Sequence, residues 1–99
     1  MLRLTSEAEQ DVAESAAWYD GEHDSLGDAF LADVRTLLAR IETAPHRYPK
    51  VRDRVRRALM SRFPYSVYFE PEDSANWVVL AVLHQRRDPS TWTRRITKL

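Results

Sequence analysis

A run of polar and cationic side chains follows an apolar stretch near the end of the chain, and it contains residue types that could do chemistry. Residues 78–83 read VVLAVL and are followed at once by His84, Gln85, Arg86 and Arg87. Such groups gain nothing from burial, so a core strand that ends in them is typical of a functional site. The two arginines could hold a phosphate by paired hydrogen bonds. His84 could take up or release a proton near neutral pH.

Two aromatic residues accompany this run, Tyr65 before it and Trp92 after it. Their rings could stack on nucleic-acid bases or anchor a protein interface, where Trp, Tyr and Arg are enriched. A structural interpretation competes, because aromatic residues beside apolar strands more often belong to the core. That interpretation applies to Tyr65, Tyr68, Trp77 and Trp18.

The polar residues of the run also have structural alternatives. His84 could bond a neighbouring backbone carbonyl, and Arg87 could pair with an acid from the N-terminal half of the chain. Asp88 precedes Pro89, and this pair is typical of the N-cap and the first position of a helix. We therefore expect a short final helix to begin there.

The elements that must position this run follow from the apolar periodicity. The segment from Leu2 to Thr5 has apolar residues at alternate positions and predicts a first strand. Ser6 with Glu9 three residues later forms a capping-box pattern, and apolar residues then recur at helical spacing until Gly21. This pattern predicts a first helix, and the helix dipole accounts for the acids in its first turns.

A second helix is predicted from a cap at Asp24 or Ser25 to about Thr43, with Pro45 as its stop. Because the gap between the helices is short, they should form an antiparallel hairpin. Three strands are predicted after it, over residues 55–60, 63–69 and 77–83. The order β-α-α-β-β-β(-α) indicates an α+β fold, a helical hairpin packed on one face of an antiparallel sheet. Residues 1–99 then form a single domain, with the first strand at an edge or beside the last.

The charges are segregated along the chain although the net charge is zero. Residues 1–44 hold ten acids and three bases, whereas residues 45–99 hold five acids and twelve bases. This distribution suggests a dipolar surface whose basic face could meet an acidic partner or phosphates. The alternative is that the helices and the sheet simply carry different solvated faces.

Composition also limits the chemistry. The absence of Cys excludes disulfides, thiolate metal sites and a Cys nucleophile. The three histidines are scattered without metal-site spacing, so we expect neither a metal nor a cofactor. The N-terminus has no apolar signal core and no segment reaches membrane-spanning length, so the expected location is the cytoplasm, with no membrane partner.

Several phrases of the sequence resemble the RelE/ParE superfamily, the toxin halves of bacterial type II toxin–antitoxin pairs. They are FPYSVYF at residues 63–69, VLAVLHQRRDPSTW at residues 79–92, the pair Trp18–Tyr19, and the spaced Ile41, Pro45, Tyr48 and Pro49. The similarity covers nearly the whole chain and is closer to the ParE-like, plasmid-stabilisation branch. It implies a microbial-nuclease-like domain that arrests growth. It also implies a cognate antitoxin in a hetero-oligomer, draped over the outward side of the helical hairpin and the groove near the last strand.

The RelE branch of that superfamily cuts messenger RNA in the ribosome. Resemblance to it implies catalytic roles for Arg86 and, more roughly matched, Arg56, and His84 could substitute as the acid or base. Two departures argue against this activity: Tyr65 stands where that branch typically has Arg, and Trp92 where it commonly has Tyr. Losing one positioned acid–base group typically costs about 10²–10⁴-fold in rate.

The ParE branch poisons DNA gyrase by binding and needs no acid–base pair. Resemblance to it implies a target-binding surface made of Arg86, Arg87, His84, Tyr65 and Trp92. Arg86 has the most support, because its position matches both branches. The resemblance thus favours a gyrase inhibitor that is not an enzyme. The alternatives are a ribosome-dependent ribonuclease and a non-toxic binding domain that keeps only the fold.

Overall fold

A five-stranded mixed sheet with helices on both faces forms the fold in a computed structural model, which describes residues 1–96. In chain order the elements are β1 (Leu2–Leu4), α1 (Ser6–Glu22), α2 (Leu26–Thr43), β2 (Lys50–Arg52), β3 (Val55–Leu59), β4 (Tyr65–Pro71), β5 (Trp77–His84) and α3 (Ser90–Thr93), with a 3₁₀ turn at Pro45–Arg47. The sheet order is β1-β5-β4-β3-β2. The predicted α+β class and the helical hairpin are confirmed.

The sheet differs from the prediction in two respects. The first strand does lie at an edge beside the last, but β1 runs parallel to β5, so the sheet is not wholly antiparallel. An unpredicted strand, β2, pairs with β3 at the opposite edge. Its three residues include only one apolar side chain, Val51, which is too little pattern to distinguish an edge strand from a loop.

The start of α1 is fixed one residue earlier than the capping-box pattern suggested. Thr5 is the N-cap, and its hydroxyl accepts the Ala8 amide N–H at 3.1 Å. The predicted Ser6–Glu9 box is therefore wrong as a cap, although Ser6 is the first helical residue. The helix also continues through Gly21 to Glu22.

A side chain of α1 caps the first turn of α2. Ser25 precedes α2 with a φ of 67° and makes no side-chain cap bond. Instead Asp20, in the last turns of α1, accepts the Gly27 N–H at 2.8 Å through Oδ1. Gly27 approaches α1 so closely that an added Cβ would lie 2.5 Å from the Ala16 carbonyl oxygen. Glycine at this position therefore sets the distance between the helices.

The sheet has a core on each face. The helical hairpin covers one face, where Phe30, Val34 and Ile41 pack on β4 and β5. The other face carries a second core, in which the Trp92 ring of α3 stacks on Tyr68 with centroids 4.5 Å apart. Since both faces of β5 are buried, its sequence is continuously apolar until the strand ends at His84.

Two acids accept hydrogen bonds from backbone N–H groups, one at a turn between strands and one at the start of α3. Asp33 of α2 is buried and accepts both the Ser61 hydroxyl and the Arg62 N–H at 3.0 Å, which fixes the turn between β3 and β4. Asp88 accepts the Ser90 N–H at 2.9 Å at the start of α3. This bond lowers the pKa of the Asp88 carboxyl. The short final helix is present, but the prediction of Asp88 as its N-cap and Pro89 as its first residue is wrong by one position, because Pro89 is the N-cap and α3 begins at Ser90.

Candidate functional site

His84 ends β5 and organises the turn that follows it. Its Nδ1 atom accepts the Arg86 N–H at 3.0 Å, and its carbonyl oxygen accepts the Arg87 N–H at 2.9 Å. The imidazole therefore bonds a nearby backbone group, an amide rather than the carbonyl we expected. An Nδ1 that accepts a hydrogen bond leaves the ring proton on Nε2 in the neutral form. The structural alternative for His84 accordingly accounts for one of its two nitrogens.

Arg86 and Arg87 lie in this turn with their side chains exposed. Within residues 1–96 neither makes an ion pair at 4.0 Å or less, so the predicted pairing of Arg87 with an acid of the N-terminal half is not seen there. Arg87 nevertheless faces that half across a cavity, which Glu14 of α1 also lines. Both guanidinium groups are available to an incoming partner.

A different arginine, Arg95, makes the buried ion pair of this region. Its Nη1 atom lies 2.7 Å from Oδ2 of Asp11, whose side chain is 9% exposed. Asp11 also accepts the Val82 N–H at 3.0 Å, and Arg95 donates to the Leu80 carbonyl at 3.1 Å. β1 pairs only with residues 77–79 of β5. The Asp11 and Arg95 side chains therefore supply hydrogen-bond partners to backbone groups of β5 that lie beyond the end of β1. Sequence reasoning missed this pair.

A cavity of about 150 Å³ lies between α1 and the end of β5. Its lining includes Glu14, Trp18, Tyr65, His84 and Arg87. Trp18 is 60% exposed, so its predicted place in the core is wrong. Its ring meets Tyr19 edge-on with centroids 5.0 Å apart, which supports it at the protein surface. We call the group formed by the exposed Trp18, Arg86 and Arg87 and the half-buried His84 the β5-end surface.

Tyr65 and Trp92, which the sequence suggested for the site, are both largely buried. Tyr65 is 8% exposed and packs against Tyr19 and Phe30, with its edge at the cavity wall. Burial, and then the neighbouring Tyr65, raise the pKa of Tyr19. Trp92 is 7% exposed and belongs to the core on the other face of the sheet. The position of Trp92 therefore does not fit a role as a surface anchor. Tyr65 exposes only a small part of its side chain to a partner, at the cavity wall.

Arg56 is separated from the other members of the proposed ribonuclease set. It lies opposite Phe69 on β4, whereas His84 lies opposite Tyr65, four residues along the same strand. That offset is about 13 Å along the strand, with a further strand in between. The Arg56 guanidinium donates to the Tyr48 carbonyl at 2.6 Å, so it holds the loop after α2. The structure does not bring Arg56 together with His84 and Arg86.

An apolar groove of about 590 Å³ runs along the outer side of the helical hairpin. Its floor includes the small side chains Ala13 and Ala17 of α1 and the larger Leu31 and Leu38 of α2. Glu9 and Arg35 lie at its margins. This groove is on the outward side of the hairpin, where the sequence resemblance implied that an antitoxin docks.

Within residues 1–96 no group of three or more His, Cys, Asp or Glu side chains is arranged to hold a metal ion. Over the same residues no helix has the length and apolarity needed to cross a membrane.

Comparisons with known proteins agree with this architecture. A family model described as the ParE toxin of the type II toxin–antitoxin system parDE matches residues 2–89. A solved structure described as the chromosomal ParDE toxin–antitoxin system from P. aeruginosa superimposes with a TM-score of 0.74 at 16% identity. The match covers 84% of this chain and 92% of that one, and at this identity it supports the fold alone. A search of curated proteins gives no match.

Proposed function

Because this chain belongs to the ParE family of type II toxins, we propose that it arrests growth in the cytoplasm by binding DNA gyrase and that a cognate antitoxin neutralises it. The proposal has two parts, a surface that meets the target and a groove that receives the antitoxin. Membership of the family supports the toxin class. The choice of gyrase depends on the resemblance to the ParE branch and on the character of the β5-end surface.

The observation that carries the target proposal is the exposed Trp18, which lines the same cavity as Arg87. A tryptophan that leaves 60% of its surface in water gains little for folding and has much to gain from an interface. Arg87 and the preceding Arg86 are exposed and make no ion pair within residues 1–96. Trp and Arg are the residue types enriched among interface hot spots. This combination favours binding over catalysis.

The ribonuclease alternative has less support from the same region. Acid–base catalysis needs its groups within hydrogen-bond reach of one substrate. Arg56 instead holds the carbonyls of the loop after α2, and one nitrogen of His84 is engaged by the Arg86 amide. Only Arg86 and the Nε2 side of His84 remain near each other for such chemistry. We therefore place the ribonuclease second.

The groove on the hairpin supports the antitoxin part of the proposal. Small residues on α1 and Leu residues on α2 form an apolar strip of the kind that receives an amphipathic helix. The acids of the N-terminal half around it favour a basic segment in the partner. An antitoxin that orders as it binds would form a specific complex while remaining degradable when free.

The target proposal is tested by gyrase-dependent supercoiling of relaxed plasmid with the purified chain. We expect inhibition, and we expect Trp18→Ala and Arg86→Ala each to raise the half-inhibitory concentration about 30-fold, the loss of a 2 kcal/mol hot spot. Arg40→Ala, which removes an exposed arginine from α2, is the matched control and should change nothing. Ribosome-bound message cut by the same preparation, with gyrase unaffected, would replace this proposal by the ribonuclease.

A further inference from the structure

The hairpin of β2 and β3 concentrates positive charge at the edge of the sheet opposite β1. Five cations, Lys50, Arg52, Arg54, Arg56 and Arg57, occur within residues 50–57, which contain a single acid, Asp53. Arg56 is partly buried and donates to the Tyr48 carbonyl, whereas the other four cationic side chains are exposed. Asp53 adopts a left-handed φ of 50°, which makes the tight turn and places Arg54 at the tip of the hairpin.

The pairing of the two strands brings these cations close in space. Lys50 lies opposite Arg56 and Arg52 opposite Val55, with a shift of register between the two pairs, and Arg57 follows Val55 by two residues. Like charges such as Arg52 and Arg57, held on two paired strands, repel one another. Within residues 1–96 neither forms an ion pair, whereas Arg3 pairs with Glu72 and Arg95 with Asp11. The hairpin therefore carries a charge that the described chain leaves uncompensated.

Protection of the sheet edge explains only part of this charge. Cations on β2 discourage pairing with another chain, since β2 is an edge strand. Arg57 lies on β3, which is paired on both sides by β2 and β4. An interior strand has no open edge to protect. We propose that this hairpin binds the phosphate backbone of duplex DNA through Arg52, Arg54 and Arg57.

The chemistry of the hairpin favours phosphates over the carboxylates of an acidic protein. Four of its five cations are arginines, whose planar guanidinium groups donate two parallel bonds to a phosphate. The acidic N-terminal half, which forms the helical hairpin, would be repelled by DNA and would turn the basic hairpin toward it.

The test is fluorescence anisotropy of the purified chain with a labelled DNA duplex at 50 to 200 mM salt. Contacts with three phosphates give a slope of about −2.7 in log K against log salt, a loss of about 40-fold over that range. Arg57→Gln should weaken binding and reduce the slope by about 1. Arg40→Gln removes the same charge from α2 and should leave both unchanged. Circular dichroism establishes that each variant is folded.

Three results would overturn the inference. The first is no binding at 50 mM salt, and the second is equal weakening by Arg57→Gln and Arg40→Gln, which would mean a general charge effect. The third is equal affinity for polyglutamate of matched charge, which would assign the hairpin to an acidic protein. Neither gyrase nor antitoxin is present in the assay, so its failure would leave the proposed function standing.

Discussion

The two glycines of the chain offer a paired test of how the helical hairpin is built. An alanine at Gly27 would place its Cβ 2.5 Å from the Ala16 carbonyl oxygen and from the Asp20 carboxyl group. The Asp20 side chain can rotate, but the Ala16 backbone cannot yield without moving α1. Overpacking of this kind costs about 1–3 kcal/mol. Displacing Asp20 also removes the bond to the Gly27 N–H, a further loss of about 1 kcal/mol.

The gain in helix propensity from Gly27→Ala, at most about 1 kcal/mol, is too small to compensate. We therefore expect a net destabilisation of about 1–3 kcal/mol, or a fall in Tm of about 4–8 °C for each kcal/mol. Gly21 lies inside α1 with nothing within 4 Å of an added Cβ, so Gly21→Ala should stabilise by about 0.5–1 kcal/mol. Thermal unfolding followed by circular dichroism measures both. A Gly27→Ala variant as stable as the parent protein, or more stable, would refute the close approach at Gly27.

Two further predictions concern charged pairs. Asp11→Ala leaves the Val82 N–H and the Arg95 guanidinium without their acceptor and should cost about 3–5 kcal/mol in urea unfolding. Asp11→Asn keeps an oxygen for Val82 and should cost less, so equal costs would contradict a contribution from the charge. The hydrogen bond from Arg3 lowers the pKa of Glu72. This pair therefore stabilises the fold at a pH above the ordinary glutamate pKa of about 4.3. The stabilisation is lost as the pH falls through the lower pKa of Glu72 in the folded protein. Glu72→Gln should flatten the dependence of stability on pH in that window, and an unaltered curve would contradict it.

The main elements could be predicted from the sequence because their patterns are long. The helix over Leu26–Thr43 has an apolar stripe and a proline stop, and the strand over Trp77–His84 is apolar on both faces. The edge strand Lys50–Arg52 has no such pattern, because only one of its residues packs inward. The parallel pairing of β1 depends on where a three-residue strand docks, which no local pattern encodes.

The candidate site was only partly predictable, and the reason lies in pairwise contacts between distant residues. His84, Arg86 and Arg87 could be found because polar residues at the end of an apolar strand are conspicuous. Tyr65 and Trp92 have the composition of a binding surface but are buried on opposite faces of the sheet. Alternation along β4 and β5 could have revealed the face of Tyr65, but the position of Trp92 depends on how α3 folds back.

The exposure of Trp18 could have been predicted from the residues that share its face of α1. Asp11, Glu14 and Trp18 recur at helical spacing, so they share one face of α1, and two of the three are acidic. A tryptophan on a face with acids is a poor core residue, which predicts its exposure. Arg95 could not be found in the same way, because its partner Asp11 lies 84 residues earlier in the chain.

Helix α1 contributes to both proposed partner surfaces on different faces, and this arrangement makes the two functions separable. Ala13 and Ala17 line the outer groove, whereas Glu14 and Trp18 line the cavity at the β5 end. At 3.6 residues per turn the two faces are about 100° apart around the helix axis. Ala17→Glu should therefore abolish neutralisation by a co-expressed antitoxin and leave growth arrest intact, because it buries a charge only in the groove. Trp18→Ala should weaken growth arrest and leave antitoxin binding within a few-fold, measured by calorimetry. Loss of both functions in each folded variant would mean that one partner covers both faces. The assignment of the two faces of α1 to different partners would then be wrong.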